Sequence, residues 1–328
     1  MTSPYVPGRP REAETLRVIV FGGTGVGKTS FVNDASGSNL QIGHGLPSCT
    51  KEVQAGPIFT IRGRAIQLFD TPGFDDTVLT DTEILRSIAE LLLDLHVSKM
   101  KITGVLYLHR ITDNRMSGAS VRALTLFEKI CGIDAMRNAV IITNMWSFPR
   151  DPQEEVRENQ LKSEYFAAAI RNGAKVARRG NGSGSASAIL ELLLDCAPIT
   201  LQIQTEMAVQ RLQLDETDAG ALVDQNLRRR LERQQQEKME LEEELSEAIS
   251  DRDRRAQEQL ERFKRDKEDE MKRLQEQLDA LHQAKILQHQ IFNGPTESED
   301  QPPVKSPNQP SKPGRGFGWG RRKNQRNS

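Results

Sequence analysis

The chain has 328 residues, and at about 150 residues per domain this length indicates two units, or one domain with a long appendage. Its 45 basic and 46 acidic residues nearly cancel, so the chain as a whole lacks the positive charge of a nucleic-acid-binding protein. Its most apolar stretches contain acidic residues and fall short of the ~20 apolar residues that a membrane span needs. Cys49, Cys131 and Cys196 form no metal-ligand spacing, and with no secretory signal we expect a cytoplasmic protein.

Composition divides the chain into four segments. Residues 1–11 are rich in proline and predict a disordered N-terminus, whereas residues 12–200 alternate apolar runs with glycine, as a globular α/β domain does. Residues 201–292 predict a long helix or coiled coil, because residues 201–290 contain 38 charged residues, no proline and a single glycine, Gly220. Residues 293–328 are rich in Pro, Ser, Asn, Gly and Arg and predict a disordered basic tail.

The first element of the α/β domain carries the clearest motif in the chain. The apolar run at 16–21 predicts a buried strand, and it leads directly into Gly22-Gly23-Thr24-Gly25-Val26-Gly27-Lys28-Thr29, which fits GxxxxGK[ST]. The glycines allow backbone N–H groups to face phosphates, and the next helix, beginning near Ser30, presents the positive end of its dipole. We expect Lys28 to contact the β- and γ-phosphates and Thr29 to bind Mg²⁺.

A second motif follows at the end of a predicted hairpin. Residues 58–61 and 65–69 predict two antiparallel strands, and the second runs into Asp70-Thr71-Pro72-Gly73. In P-loop proteins a carboxylate at a strand end holds Mg²⁺ through water, and a glycine N–H can meet the γ-phosphate. Asp70 and Gly73 are therefore predicted to complete the phosphate site.

These segments are similar to a known family. The combination GGTGVGKTS (22–30), SCTKEV (48–53) and DTPGFDDT (70–77) resembles the G domain of the translation-factor-related GTPases, and most closely the septin-like group with the immunity-associated and chloroplast-import GTPases. The stretches at 106–118 and 143–146 resemble fungal G-domain-containing P-loop proteins, in which a helical tail also follows. The resemblance covers about residues 15–200.

The resemblance implies a three-layer α/β P-loop GTPase-like domain with a mostly parallel sheet, which binds GTP or GDP with Mg²⁺. It also implies that Thr50, or alternatively Ser48, is the switch I residue that closes over Mg²⁺ and the γ-phosphate. Lys28 and Thr50 are thus the candidate catalytic residues, and Thr29, Thr50 and Asp70 are the candidate metal ligands. Septin-like domains commonly pair across their nucleotide faces, so we expect a homodimer through either the G domain or a coiled coil, together with an effector protein that the sequence does not name.

The base-reading loop departs from the pattern of that family. This loop is usually Asn/Thr-Lys-x-Asp, whose Asp accepts two hydrogen bonds from guanine, but here the strand at 139–142 runs into Thr143-Asn144-Met145-Trp146-Ser147. The Asp position falls on Trp146 if the motif starts at Thr143, and on Ser147 if it starts at Asn144. Neither residue is a carboxylate, so Thr143, Asn144 and Trp146 are candidate base contacts without a matched polar pair for guanine. A second base-side loop is expected at 175–182.

Switch II also departs from the pattern. In Ras-like enzymes the glutamine that follows this glycine orients the attacking water, but here Phe74 follows Gly73 and cannot hydrogen-bond to water. We therefore expect a conformational switch with slow GTP hydrolysis. The alternatives are a nucleotide-binding scaffold without turnover and an NTPase of relaxed base selectivity that uses ATP. Arg110, after the strand at 103–108, is expected at the surface, from which it could also reach phosphates.

The helical segment has a discontinuous apolar stripe. The apolar residues of its first heptad frame are Leu227, Leu231, Leu241 and Leu245, and those of a frame shifted by one are Leu260, Phe263, Leu274 and Leu281. Polar residues occupy the positions between them, whereas a stable coiled coil has apolar residues at nearly every such position. A self-associating coiled coil and a solvated, charge-laced helix both remain open. A break is expected between residues 215 and 221.

Overall fold

The structure, a computed structural model, describes residues 15–41, 52–74, 76, 79–149, 151–250 and 254–283. The predicted switch I residues Ser48 and Thr50, and the predicted disordered segments at both ends, lie outside these ranges. Within them, the α/β region and the helical region that follows it belong to one structural unit.

Seven strands form a single sheet in the described part of the chain. They are β1 (Leu16–Gly22), β2 (Gln54–Ala55), β3 (Phe59–Ile61), β4 (Arg64–Asp70), β5 (Ile102–Arg110), β6 (Ala139–Asn144) and β7 (Lys175–Arg178). Five of them run parallel in the order β4-β1-β5-β6-β7, while β2 and β3 both pair antiparallel with β4 at the sheet edge. The predicted hairpin and the mostly parallel sheet are confirmed, with β2 as an additional antiparallel strand.

Helices cover both faces of this sheet, which explains why its central strands β1, β5 and β6 are mostly apolar and buried along almost their whole length. The helices of the domain are α1 (Lys28–Ser36), α2 (Asp81–Val97), α3 (Gly118–Cys131), α4 (Pro152–Ser163), α5 (Ala167–Arg171) and α6 (Ser183–Glu191), with a 3₁₀ turn at Ile133–Asn138. Apolar residues of α1 and α6 form one core with the sheet, and those of α2, α3, α4 and α5 belong to a second core. The predicted three-layer architecture is confirmed.

Local sequence sets the start of α2, the helix that follows the Asp70–Gly73 motif. The Thr80 side chain accepts from Glu83 N, and the Glu83 side chain in turn accepts from Thr80 N. This reciprocal capping fixes the first turn. The apolar stripe of α2, including Ile84, Leu85 and Ile88, is then buried.

The apolar core continues past residue 200, where the sequence predicts the end of the domain. A short helix α7 (Gln202–Gln204), a π-helical turn (Thr205–Val209) and a 3₁₀ turn (Leu214–Glu216) place Ile203, Met207 and Leu214 in the same core as α2 and α3. Helix α8 (Asp218–Ser250) then begins inside the predicted break. Gly220 lies in the first turn of α8. Only glycine fits at this position, because a Cβ there would lie 1.7 Å from the Leu214 carbonyl oxygen.

The expected long helix is replaced by two helices that pack against each other. Helix α9 (Arg254–Gln283) runs antiparallel to α8, as the ion pairs Lys238–Glu268 (2.8 Å) and Glu242–Lys264 (2.7 Å) require. We call α8 and α9 together the helical hairpin. Among the described residues, no helix is both long and apolar enough to cross a membrane.

The interface between the two helices corrects the predicted frame of the second helix. The buried apolar residues of α9 are Leu274, Leu278 and Leu281, whereas Phe263 of the predicted frame is 54% exposed. Two lysines that interrupt the apolar stripe, Lys238 and Lys267, are instead paired across the interface with Glu268 and Glu237. The buried leucines of α9 therefore pack within the chain, and these two lysines are paired with acidic residues of the facing helix.

Candidate nucleotide site

In the phosphate loop between β1 and α1, the Lys28 side chain lies along the loop backbone. Lys28 Nζ donates to the carbonyl oxygens of Gly22 (3.2 Å) and Gly23 (2.8 Å), and the residue is 7% exposed. Burial lowers the pKa of Lys28 to about 8, an effect that the carboxylates of Asp70 and Asp76 oppose. A buried ammonium group at this position is suited to bind phosphate oxygens, because it has given up most of its hydration already.

The N-terminus of α1 faces the same loop. Gly27 precedes the helix with φ of 92°, a left-handed conformation that favours glycine. A Cβ at Gly27 would also lie 2.6 Å from Asn144 Nδ2, so glycine is needed for space as well. Gly27 contributes no side-chain cap to the helix, and the amide groups of the first turn are thus suited to an anion.

A hydroxyl and a carboxylate lie together where Mg²⁺ would bind. Thr29 Oγ1 donates to Asp70 Oδ2 at 2.6 Å, and Asp70 is fully buried at the end of β4. Within the described part of the chain, the other carboxylate oxygen, Oδ1, has no hydrogen-bond partner. Burial raises the pKa of Asp70, while the Thr29 hydroxyl and Lys28 oppose this. A buried carboxylate oxygen left without a donor fits an outer ligand that reaches Mg²⁺ through water.

Gly73 and Phe74 pack directly against the phosphate loop. The Thr24 amide donates to the Phe74 carbonyl oxygen at 3.0 Å, and the Phe74 amide donates to the Gly22 carbonyl oxygen at 3.2 Å. A Cβ at Gly73 would lie 2.4 Å from Thr24 Oγ1, so only glycine permits this approach. The Phe74 ring is 1% exposed and stacks on Phe21 with centroids 6.4 Å apart. Phe74 is therefore a core residue, and its side chain does not face the phosphate loop.

Arg110 lies on the outer side of the phosphate loop rather than in free solvent. Its Nη2 donates to the Gly25 carbonyl oxygen at 3.2 Å, and its Nε lies 3.7 Å from Asp113 Oδ1. The side chain is about one-third exposed (36%), so its guanidinium group is accessible beside the loop.

The base-reading loop after β6 is anchored to the phosphate loop by Asn144. Its Nδ2 donates to the Val26 carbonyl oxygen at 2.7 Å, and the residue is 6% exposed. Thr143 is fully buried, and its hydroxyl donates to Glu158 Oε1 at 3.1 Å. The motif therefore starts at Asn144, which assigns its carboxylate position to Ser147. Thr143 is not among the residues that line the neighbouring cavity, and its role as a base contact stays a prediction.

The Trp146 side chain lines the cavity beside the phosphate loop and is held in place by neighbouring residues. Its indole Nε1 donates to the Thr143 carbonyl oxygen at 3.1 Å, and the Arg178 guanidinium lies 4.5 Å from its ring centroid. Arg178 is in turn held by Glu158 through bonds of 2.9 and 2.6 Å. Although burial acts in the opposite direction, hydrogen bonds from Arg178 and Lys162 lower the pKa of Glu158. These contacts favour a packing role for Trp146.

The loop after β7 contributes a buried arginine that crosses to α1. Arg179 is 7% exposed, and it donates to the Gly27 carbonyl oxygen (3.1 Å), to Ser30 Oγ (3.1 Å) and to Asp34 Oδ2 (2.7 Å). This network joins the phosphate loop to the second base-side loop. The sequence predicts that loop at residues 175–182, but no sequence pattern indicates that Arg179 would bind Asp34 of α1.

A carboxylate from α4 reaches the Asp position of the base-reading loop. Glu154, which is fully buried, accepts from Ser147 Oγ (2.7 Å) and from Ser147 N (3.0 and 3.2 Å). Asp151 caps α4, and Pro152 begins it. This start signal in the sequence could have assigned Glu154 to the first turn, although not to its contact with Ser147.

These residues surround a cavity of about 430 Å³ beside the phosphate loop. Its lining residues are Gly27, Ser30, Asp34, Asn144, Met145, Trp146, Ser147, Phe148, Arg178, Arg179, Gly180, Asn181 and Gly182. The structure thus brings the predicted residues of the phosphate loop and of both base-side loops to one edge of the sheet. Among the described residues, no three His, Cys, Asp or Glu side chains lie close enough together to hold a metal ion by themselves.

Residues 17–120 match a family model described as 50S ribosome-binding GTPase. The matched segment begins in β1 and ends in α3, so it includes the phosphate loop and the Asp70–Gly73 motif. It stops before the base-reading loop, which is where this chain departs from the usual motif.

Two curated proteins and one solved structure illustrate the similarity. The chain is 30% identical over 129 residues to GTP-binding protein A of Dictyostelium discoideum, across 38% of this chain and 27% of that protein. It is 28% identical over 135 residues to Translocase of chloroplast 90 of Arabidopsis thaliana, across 41% and 17% of the two chains. The structure of Toc33 from Arabidopsis thaliana with GDP and Mg²⁺ matches 57% of this chain and 88% of that one, at 16% identity and a TM-score of 0.45. The chain spans only a minor part of the curated relatives.

Proposed function

We propose that this chain, whose residues 17–120 match a family model of GTPases, binds GTP and GDP with Mg²⁺ and hydrolyses GTP slowly as a conformational switch. The observation that carries the proposal is the convergence of Lys28, Thr29 and Asp70 on the phosphate loop. One oxygen of Asp70 is buried without a partner among the described residues, as a ligand to metal-bound water would be.

Each of these residues has a separate part in binding. Lys28 offsets the negative charge of the phosphates, and the amides of the loop and of the first turn of α1 donate to phosphate oxygens. Thr29 would hold Mg²⁺ directly, and Asp70 would hold it through water. Bound Mg²⁺ neutralises charge on the phosphate oxygens.

Slow turnover is proposed because of Phe74. Hydrolysis needs a water molecule held in line with the γ-phosphate, and the Phe74 ring is buried against Phe21 instead. Thr50 is the proposed switch I residue, and it lies outside the described residues. Acceleration would come from a partner, and we propose a second copy of the G domain facing the nucleotide.

The helical hairpin is the proposed readout of the switch. Leu274, Leu278 and Leu281 of α9 are buried in the same core as α2, and Thr82 Oγ1 of α2 donates to the Gln277 carbonyl oxygen at 3.5 Å. Helix α2 directly follows Gly73, which meets the phosphate loop. A shift of this segment between the GTP and GDP states would therefore be transmitted to α9.

The experiment that tests this function identifies the nucleotide that copurifies with the chain and follows phosphate release from GTP and ATP separately. We expect bound guanine nucleotide and GTP turnover at about 10⁻⁴ to 10⁻² s⁻¹ that rises with protein concentration. Concentration-independent fast turnover would show that an unidentified residue positions the water. Binding of GTP without any phosphate release would favour the scaffold alternative.

A further inference from the structure

Guanine recognition needs acceptor atoms, because the base presents the donors N1–H and N2–H₂ on its reading edge. Ser147 occupies the position at which related loops have an aspartate. Its side chain is exposed and lines the cavity beside the phosphate loop. A free hydroxyl can donate or accept, so serine alone would not distinguish guanine from other bases.

The contact between Ser147 and Glu154 removes this ambiguity. The Ser147 hydroxyl donates its proton to Glu154 Oε1 at 2.7 Å, and both carboxylate oxygens also accept from Ser147 N, at 3.2 and 3.0 Å. The Ser147 hydroxyl is thus the donor of this bond, and Glu154 Oε1 is its acceptor. The lone pairs of Ser147 Oγ are then left as acceptors on a residue that lines the cavity.

On the premise that the site binds nucleotide as proposed above, we infer that Ser147 Oγ is the acceptor that reads guanine and that Glu154 is the positioning residue that orients its proton. Glu154 is fully buried and does not line the cavity, so it acts through Ser147. The two residues together replace the single aspartate of the usual loop.

Asp34 is the rival acceptor in the same cavity. Its Oδ2 accepts from Arg179 at 2.7 Å, and Arg179 also donates to Gly27 and Ser30. This oxygen of the carboxylate therefore links α1 with the loop after β7. Ser147 is favoured because Asn144, three residues earlier, is bonded to Val26 of the phosphate loop and so sets the register of the base-reading loop.

Xanthine provides the discriminating probe, because it has a carbonyl oxygen where guanine has the 2-amino group. In the natural protein two acceptors would face each other, so XDP should bind more weakly than GDP. Glu154→Gln reverses the polarity: the amide oxygen still accepts from Ser147 N, while the amide NH₂ donates to Ser147 Oγ. The serine proton then turns towards the cavity and can be donated to the xanthine oxygen.

The test measures the dissociation constants of GDP and XDP with Mg²⁺ for the full chain by calorimetry. Glu154→Gln should lower the ratio of GDP to XDP affinity by about tenfold or more, which corresponds to the exchange of one hydrogen bond. Ser147→Ala should lower the same ratio by removing the acceptor. The matched control is Glu164→Gln, at the other end of α4, which should leave the ratio unchanged.

The outcomes separate this inference from the proposed function. A parallel loss of GDP and XDP affinity in Glu154→Gln would overturn the inference, because it would show a structural role only. So would a ratio that changes in Asp34→Asn but not in Ser147→Ala. If the natural chain binds GDP no better than Lys28→Ala does, the proposed function itself fails.

Discussion

The two ends of the nucleotide site are built in different ways. The phosphate end is made mainly of backbone from one stretch of eight residues, Gly22–Thr29, with Asp70 and Gly73 added from the end of β4. The base end is made of side chains from four separate parts of the fold: Asp34 of α1, Asn144 at the end of β6 with Ser147 in the loop that follows, Glu154 of α4, and Arg179 after β7. Each of these side chains is held by another residue.

Because of this difference, the phosphate end should set the affinity for nucleotides in general, and the base end should set the selectivity for one base. All nucleoside triphosphates carry the same phosphates, so groups at the phosphate end act on every nucleotide alike. Only groups at the base end can distinguish one base from another, and a hydrogen-bonded network can do so because an unmatched polar group is costly to bury. Substitutions at the two ends should therefore leave different signatures across a series of nucleotides.

The largest effect is expected for Lys28→Ala. Removing the ammonium group should weaken GDP and ADP binding alike by roughly a hundredfold to a thousandfold, because a buried charge contact to phosphate is lost. Titration calorimetry with both nucleotides measures this, with exposed Lys101→Ala as the control. Unchanged GDP affinity in Lys28→Ala would contradict the assignment of the phosphate loop.

Asp70→Asn should have the next largest effect, and only where Mg²⁺ is present. An outer ligand that acts through water typically contributes about tenfold to a hundredfold in metal affinity. The dependence of GDP binding on Mg²⁺ should therefore weaken, whereas binding in excess chelator should stay close to that of the natural chain. If both conditions change equally, Asp70 supports the fold of the loop rather than the metal.

The phosphate end was predictable from sequence because its chemistry lies in contiguous residues. Gly27 and Gly73 must be glycine for steric reasons, and Lys28 and Thr29 follow at fixed spacing, so a single motif reports the whole arrangement. Glu154 is seven residues from Ser147, and Asp34 is far from Arg179 along the chain. No local pattern links such pairs, since only the folded sheet edge brings them together.

The helical region shows the same limit. Its charge and lack of proline predicted helices, but the reversal between α8 and α9 was missed. In the sequence, Lys238 and Lys267 interrupt the apolar stripe. The sequence pattern does not show that Glu268 and Glu237 lie opposite them and form ion pairs with them. The break predicted at residues 215–221 does contain the start of α8, but the close packing of Gly220 against Leu214 was not predicted.

Changing the pH offers a smaller and independent test of the phosphate end. In the free protein the pKa of Lys28 is about 8, and bound phosphate should stabilise the charged form. Binding therefore takes up a proton above pH 8, so affinity should fall as the pH rises. Between pH 7 and pH 8.5 we expect about a fourfold loss of affinity, equal for GDP and ADP, at constant ionic strength. A loss confined to one base would place the titrating group at the base end instead.

The smallest effect on binding is expected for Trp146→Phe, which tests whether every residue of the base-reading loop contributes to recognition. The substitution keeps an aromatic ring beneath the Arg178 guanidinium and removes the indole N–H that donates to the Thr143 carbonyl oxygen. The free energy of unfolding should fall by about 1 kcal/mol, the typical contribution of one hydrogen bond. Because the indole nitrogen is used inside the protein, the affinities for GDP and ADP should each stay within about twofold, a change of less than 0.5 kcal/mol. Urea unfolding and calorimetry measure the two quantities on the same preparations. A tenfold loss of GDP affinity with unchanged unfolding would show that the indole contacts the base, and the base end would then depend on Trp146 as well as on side chains held by α1 and α4.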